Sequence, residues 1–181
     1  MSTLLEKNKR RDRTFTREEM VNYTKWKLCQ ANEGIEFLSL KYNVLTCRYQ
    51  GNTFRVYISS SRDYEGMRKP LERNPYRVSG WHKGSRKIFT SCDYYAMLVK
   101  VDADTKYVTE TDEGIEGLFV SQDELNLWFA QKTSLPSGMI NCYVHYIQTP
   151  GLGRSSIQVL DDREKPAIPL NHLYALGWTI R

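Results

Sequence analysis

The chain has 181 residues, of which 40% are apolar, 12% aromatic and 26% charged, and this composition excludes a wholly disordered protein. Its longest apolar stretches, Tyr94–Val99 and Leu127–Ala130, are far shorter than the roughly 18 residues that cross a bilayer, so we expect no membrane helix. The N-terminus is basic but lacks the apolar core of a signal peptide, and we therefore expect a cytoplasmic protein.

The charge is distributed unevenly along the sequence. Residues 1–90 carry 19 Lys and Arg against 9 Asp and Glu, a net charge of +10, whereas residues 91–181 carry 7 against 12, a net charge of −5. This asymmetry indicates a polyanionic partner for the basic half. Residues 1–13 are basic and have no apolar period, so we predict a mobile basic arm followed by one domain over residues 14–181.

The first elements of the domain are a helix and three strands. Thr16 and Glu19 have the spacing of a capping box, which predicts a helix to about Asn32 that Gly34 ends in a left-handed conformation. A period of two in β-branched and aromatic residues predicts strands at Ile35–Leu40, Val44–Tyr49 and Thr53–Ser59. Gly51 supplies the positive φ of a tight turn, so the last two strands should form an antiparallel hairpin.

The middle of the chain is charged. Residues 60–88 contain two prolines and little apolar periodicity, which predicts a long surface excursion with one short strand near Tyr76–Val78. Strands return at Ile88–Thr90 and Tyr94–Val101. The acidic, glycine-bearing residues 102–116, named the acidic segment below, predict a loop.

The C-terminal part alternates strands with helices. Ser121 and Glu124 form a second capping box, for a helix that ends before Pro136. Three further strands and a last helix are predicted at Leu118–Val120, Met139–Ile147, Ile157–Leu160 and Leu170–Leu176. Together these elements predict an α+β fold, a single domain whose mainly antiparallel or mixed central sheet is flanked by an N-terminal helix and a mid-chain helix.

Signals for catalysis and metal binding are weak. The four cysteines are dispersed, at Cys29, Cys47, Cys92 and Cys142. They lack Cys-x-x-Cys spacing, so we expect reduced, mostly buried thiols instead of a zinc or redox site. Cys92 beside Asp93, with three scattered histidines, is a poor basis for nucleophilic catalysis, and the glycine-rich residues 151–156 lack the Lys of a P-loop. We therefore predict no catalytic residue, no metal and no cofactor.

The basic residues between positions 61 and 90 are the strongest functional signal. Eight Lys and Arg stand there against three acidic residues, with Tyr64, Tyr76 and Trp81 interleaved. Because cations neutralise phosphates and flat rings stack on bases, this pattern is typical of binding to single-stranded or looped nucleic acid. The predicted nucleic-acid-binding residues are Arg62, Arg68, Lys69, Arg73, Arg77, Trp81, Lys83, Arg86 and Lys87.

Other interpretations of this basic stretch stay open. It can be a solvated loop whose rings pack on the core, it can bind an acidic protein surface, or it can pair within the molecule with the acidic segment. If it binds nucleic acid, its cations from Arg68 to Lys87 should form one exposed face. Trp81, between Gly80 and Gly84, should then lie at a loop tip and be the most important residue of that face.

Several short motifs also occur in a familiar order, namely the hairpin Tyr42–Tyr49 with Thr53–Val56, then Trp81-His82-Lys83, Asp93-Tyr94-Tyr95 and Gly117–Val120 leading into Asp123–Leu125. Over roughly residues 36–130 this order resembles the PD-(D/E)XK, or restriction-endonuclease-like, fold and within it the MepB-like proteins. Active members of that fold place an acid-x-Lys after the hairpin, where this chain reads Tyr57-Ile58-Ser59-Ser60. The resemblance therefore implies a degenerate nuclease centre.

The sequence thus leads to three hypotheses. The first is a non-catalytic protein that binds nucleic acid or a nucleoprotein complex through its basic half, residues 1–90. The alternative is a protein-interaction module, such as an inhibitor or a nucleic-acid mimic from a mobile element. The third is a degenerate or cryptic nuclease.

Overall fold

The computed structural model describes residues 16–133 and 137–181, so the predicted basic arm lies outside the described residues. Within these ranges the helices are α1 (Arg17–Ala31), α2 (Arg86–Phe89), α3 (Gln122–Phe129) and α4 (Asn171–Ala175). The strands are β1 (Glu36–Lys41), β2 (Val44–Tyr49), β3 (Asn52–Arg62), β4 (Arg77–Ser85), β5 (Tyr94–Lys100), β6 (Ile115–Ser121), β7 (Met139–Ile147), β8 (Gln158–Asp161) and β9 (Ile168–Pro169).

The strands divide between two sheets. The first sheet has the order β1-β2-β3-β5-β6, in which the β3–β5 pair is parallel and the other pairs are antiparallel. The second sheet has the order β4-β7-β8-β9 and is antiparallel throughout. The predicted α+β class, with an N-terminal helix and a mid-chain helix, is confirmed.

The strand β5 of the first sheet is buried on both faces. Even-numbered residues of β5, from Tyr94 to Leu98, pack in the same apolar cluster as the buried residues of α1. Odd-numbered residues, from Tyr95 to Val99, pack against the second sheet and α3. A strand that is covered on both faces needs apolar side chains at every position, which explains the continuous apolar run in β5.

The predicted helix signals are confirmed. Thr16 Oγ1 accepts a hydrogen bond from the Glu19 N–H at 3.2 Å, and Glu19 Oε2 accepts one from the Thr16 N–H at 3.1 Å, so α1 begins at a capping box. Gly34 follows this helix with a φ of +85°. Ser121 and Glu124 make the same reciprocal pair at the start of α3.

The β2–β3 hairpin is also confirmed. Its two-residue turn has positive φ at both Gln50, with 50°, and Gly51, with 79°. A turn of this kind matches the right-handed twist of the strands that it joins. β3 continues beyond its predicted end, to Arg62.

Two interpretations of the basic stretch are wrong. The predicted excursion, with a short strand near Tyr76–Val78, contains the nine-residue strand β4, which pairs with β7 along its whole length. The predicted strand Ile88–Thr90 is part of the helix α2 and the residue after it, because the Ser85 hydroxyl caps the helix by accepting from the Ile88 N–H. The irregular part of the excursion is confined to residues 63–76.

His82 connects the two sheets. It points inward from β4 and is 1% exposed, and its Nδ1 lies 2.8 Å from Ser59 Oγ of β3. Its Nε2 has no hydrogen-bond partner among the described residues. Because burial disfavours the charged imidazolium, it lowers the pKa of His82 to about 4.

We expect the protein to lose stability as the pH falls from about 6.5 to about 4, because over this range the unfolded His82 binds a proton and the folded one does not. The full effect is about 3 kcal/mol. Urea unfolding of the wild type at about pH 7 and about pH 4.5 measures the loss. His82→Gln lacks this titration and should lose about 2–3 kcal/mol less over the same interval. Equal losses in the two proteins would show that His82 is not the group responsible.

Candidate nucleic-acid interface

The solvent side of the second sheet carries the aromatic part of the predicted site. On β4, Val78 and His82 point into the core, so the odd-numbered residues point outward. Trp81 lies opposite Tyr143 of β7 in the register of the two strands. We name this side of the sheet the outer face. Its residues on the two strands include Arg77, Trp81, Lys83 and Tyr143, together with Ser79 and His145, which are buried.

Three rings form an aromatic cluster on the outer face, made of Tyr64, Trp81 and Tyr143. The ring centroids of Trp81 and Tyr143 are 5.2 Å apart, and Tyr64 lies 6.3 Å from the first and 6.5 Å from the second. Tyr64 is 37% exposed and the other two residues are half-buried. The cluster therefore presents part of its ring surface to solvent.

Trp81 is not at a loop tip, and that prediction is wrong. It occupies the middle of β4, and its backbone N–H donates to Ser61 Oγ of β3 at 2.8 Å. The ring is thus fixed by a strand that is paired with β7 on one side and joined to β3 by this bond. A side chain held in this way loses less conformational entropy on binding than one on a free loop.

Arg163 adds a cation to the cluster from the loop after β8. Its guanidinium carbon lies 5.7 Å from the centroid of the Trp81 ring, within the range of a cation–π interaction. Its backbone N–H donates to Asp161 Oδ1 at 3.1 Å, while its side chain is exposed. The backbone of Arg163 is therefore anchored, while its exposed side chain makes no ion pair with the described residues.

Arg77 and Arg68 are paired with a buried carboxylate. Arg77 Nε and Nη2 both lie 2.7 Å from Glu65 Oε2, and Arg68 Nη1 lies 3.5 Å from Oε1. Glu65 is 1% exposed, and it also accepts a hydrogen bond from the Asn74 N–H at 2.7 Å. Glu65 therefore neutralises part of the positive charge of these two arginines, because a buried carboxylate needs paired cations.

Arg73 is turned into the protein. Its Nη1 donates to the Asp104 carbonyl at 2.9 Å and its Nη2 donates to the Gly66 carbonyl at 2.5 Å, and the residue is half-buried. Asp104 belongs to the acidic segment, so the basic and acidic segments do meet within the molecule, here through a backbone oxygen. The prediction of one exposed face is wrong at Arg73 and Arg77, because carbonyl oxygens and a buried carboxylate hold their guanidinium groups.

The other predicted cations lie at different places on the surface. Arg62 alternates with Ser61, whose hydroxyl faces β4, so Arg62 points away from the second sheet. Arg86 and Lys87 lie on α2 beyond the end of β4, and Lys69 is exposed in the loop before it. Of the predicted residues, the structure brings Arg77, Trp81 and Lys83 together on the outer face.

A hydroxyl, an imidazole and a carboxylate also lie in line on this face. Ser79 Oγ is 2.6 Å from His145 Nδ1, and His145 Nε2 is 3.4 Å from Asp162 Oδ2. Burial, followed by the nearby Arg77, lowers the pKa of His145, so its ring is neutral at pH 7. Ser79 is fully buried, and its hydroxyl therefore cannot reach a substrate carbonyl as the nucleophile of a hydrolase must.

The cysteines are free, and three of the four are buried while Cys29 is exposed. Cys92 is 3% exposed, and its Sγ accepts from Arg55 Nη2 at 3.8 Å. Burial raises the pKa of Cys47 to about 12, so this thiol lacks the environment of a reactive thiolate. The expectation of mostly buried thiols is confirmed. Across residues 16–133 and 137–181, no group of three His, Cys, Asp or Glu side chains could hold a metal ion.

Two residues of the outer face, Tyr143 and Arg163, are absent from the residues predicted from the sequence. Tyr143 had a usable signal, since it occupies an outward position of the strand predicted at Met139–Ile147. Arg163 had none, because its contact with Trp81 depends on how two distant segments fold.

No protein-family model, no curated protein and no solved structure matches this chain. The resemblance to MepB-like proteins therefore stays a prediction. In the part of the chain that the structure describes, no helix is both long enough and apolar enough to cross a membrane.

Proposed function

We propose that this chain is a non-catalytic protein that binds nucleic acid or a nucleoprotein complex, and that the outer face of the second sheet is its contact surface. The observation that carries the proposal is the aromatic cluster. Its rings are partly exposed, and the guanidinium of Arg163 lies over the ring of Trp81. Rings beside cations are what nucleic acid requires, because bases stack on rings and phosphates pair with cations.

The cations of the outer face support this proposal. Lys83 is exposed on β4 beside Trp81, and Arg163 lies over the Trp81 ring. Among the described residues neither has an ion-pair partner, unlike Arg77 and Arg68, which are paired with Glu65. Lys83 and Arg163 can therefore offer their full charge to a phosphate without breaking an internal ion pair.

In the proposed way of binding, a general electrostatic attraction to phosphates acts together with local stacking of bases on the rings. Lys83, Arg163 and the excess positive charge of the paired Arg77 and Arg68 over Glu65 attract the phosphate backbone, and this attraction weakens as salt screens it. Bases then stack on the rings of the aromatic cluster, and this stacking removes apolar area from water. Neither the charge attraction nor the stacking distinguishes one base from another, so we expect the protein to bind many base sequences.

Affinity for an oligonucleotide should fall steeply as salt is added. With about three phosphate contacts, the slope of log K against log salt should be about −2 for a single strand. Fluorescence anisotropy of a labelled oligothymidylate across a sodium chloride series measures this slope. Lys83→Ala should make the slope shallower by about 0.7, because one phosphate contact is lost.

Lys41→Ala is the matched control, since Lys41 is also exposed but lies on β1 of the first sheet. We expect this variant to keep the wild-type slope. An affinity that does not change with salt, or an equal effect of the two Lys substitutions, would contradict binding at the outer face.

A protein-interaction module is the second candidate, and the edge strand β1 favours it. Among the described strands β1 pairs only with β2, and Leu38 and Leu40 on it are 45% and 39% exposed. An unpaired strand edge with apolar side chains is a surface on which another chain can add a strand. Such a module would show no affinity for oligonucleotides at any salt concentration, so the same titration separates the two candidates.

A further inference from the structure

We infer that the ligand of the outer face is a single-stranded segment, and that one unpaired base stacks on Trp81 beneath the guanidinium of Arg163. This inference rests on the proposed function and adds the form of the nucleic acid and the residue that encloses the base. It depends on the rings of the aromatic cluster and on the position of Arg163.

The rings favour unpaired bases. In a duplex the flat faces of the bases are covered by their neighbours, and only base edges and phosphates are accessible. Trp81 and Tyr143 are half-buried side chains on paired strands, so they cannot reach deep into a groove. These rings can stack on the face of a base only where that base is already unstacked from its neighbours.

The packing of the rings points to Trp81 as the stacking residue. The centroids of Tyr143 and His145 are only 4.5 Å apart, whereas the ring nearest to Trp81 among the described residues, that of Tyr143, is 5.2 Å away, so Tyr143 is the more crowded of the two. Trp81 is tilted by 52° and 50° against Tyr64 and Tyr143. The Arg163 guanidinium, on an exposed side chain, lies over the Trp81 ring.

Arg163 has the chemistry to close over a base. A guanidinium is planar and stacks on aromatic rings, and it remains charged, so it can contact a base and a neighbouring phosphate at the same time. Its side chain is exposed and has no ion-pair partner among residues 16–133 and 137–181. Displacing it from the Trp81 ring therefore breaks no ion pair, and the stacking on the ring is replaced by stacking on the base.

Three fluorescein-labelled probes test the inference: an oligothymidylate of about 12 nucleotides, an oligouridylate of the same length and a blunt-ended DNA duplex without unpaired bases. We expect the two single strands to bind about tenfold or more tightly than the duplex, at equal salt. Trp81→Ala should weaken single-strand binding about tenfold or more, whereas Trp81→Phe, which keeps a ring, should weaken it less. Duplex binding should change little in either variant.

Arg163→Lys is the decisive variant, because it keeps the charge and removes the planar group. We expect it to weaken binding to the single strands severalfold and to leave duplex binding near the wild-type value. Lys83→Ala should instead weaken all three probes alike, since it removes a phosphate contact. Thermal unfolding of each variant confirms that the proteins compared are folded.

The outcomes separate the inference from the proposed function. Equal affinity for single strands and duplex, or Arg163→Lys binding single strands as the wild type does, would overturn the inference and leave the proposed function standing. No binding of any probe at low salt would remove both. Single-strand preference lost in both Trp81→Ala and Arg163→Lys would support both.

Discussion

Replacing Asp161 with Ala should lower the free energy of unfolding by about 3–5 kcal/mol, because it leaves a buried charge unpaired. Asp161 is fully buried, and the Lys132 Nζ lies 2.5 Å from its Oδ2 with a side chain that is 2% exposed. Glu164, at 4.0 Å from the same ammonium, is too distant for a hydrogen bond. Urea unfolding monitored by circular dichroism measures the loss.

The double variant Asp161→Ala with Lys132→Met is the control for this result. It removes both charges, so it should be clearly more stable than Asp161→Ala alone. If the single and double variants are equally unstable, the unpaired ammonium is not the cause of the loss.

Asp161 also connects the core with the outer face. Its Oδ1 accepts from the backbone N–H groups of Tyr143 at 3.0 Å and Arg163 at 3.1 Å. The buried ion pair therefore positions the backbone of both residues that the proposed site adds to the sequence-based set.

Replacing Asp63 with Ala should destabilise the protein by at least about 3 kcal/mol, because it leaves backbone N–H groups without their acceptor. Asp63 is buried, and its two oxygens accept, at 3.1 to 3.3 Å, from the N–H groups of Glu65, Gly66, Ser79 and Asp102. The carboxylate thus ties the end of β3 to β4 and to the acidic segment. Thermal and urea unfolding measure the change.

Asp63→Asn is the matched comparison for this prediction. Its amide keeps one carbonyl oxygen as an acceptor, so it should lose a smaller part of the stability than Asp63→Ala. A loss below about 1 kcal/mol for Asp63→Ala would show that water replaces the carboxylate at this position.

The elements predicted correctly are those whose cause lies within a few residues. The capping boxes at Thr16 and Ser121 satisfy backbone groups three residues away, and the turn at Gly51 needs only its own positive φ. Such local chemistry is visible in a sequence because neighbours in sequence are also neighbours in space.

β4 could not be recognised, because its inward positions carry little apolar bulk. Gly80 and Gly84 occupy two of them, where a Cβ would approach His82 Nε2 at 3.1 Å and the Phe89 ring at 3.0 Å. The rings of His82 and Phe89 fill this part of the core, where a strand would ordinarily place hydrophobic side chains. The alternation that normally predicts a strand is therefore missing.

The candidate site was only partly predictable for a similar reason. A count of Lys and Arg shows that the segment is basic, but not that Glu65 is buried beneath Arg77 or that a carbonyl of the acidic segment binds Arg73. Trp81 was identified by its ring and its charged neighbours. Its partners Tyr143 and Arg163 come from the other half of the chain, where the net charge is negative.

The most direct test of the proposed interface is to find where a single strand touches the protein. Photo-cross-linking of an oligonucleotide that contains 5-bromouracil, with the adducts located by mass spectrometry, should place them on Trp81, Tyr143 or Tyr64. Tyr42 is an internal reference, since it is 79% exposed in the turn between β1 and β2 and has the Lys41 ammonium over its ring. Cross-links concentrated at Tyr42, with none on the aromatic cluster, would contradict the outer face as the nucleic-acid-binding surface.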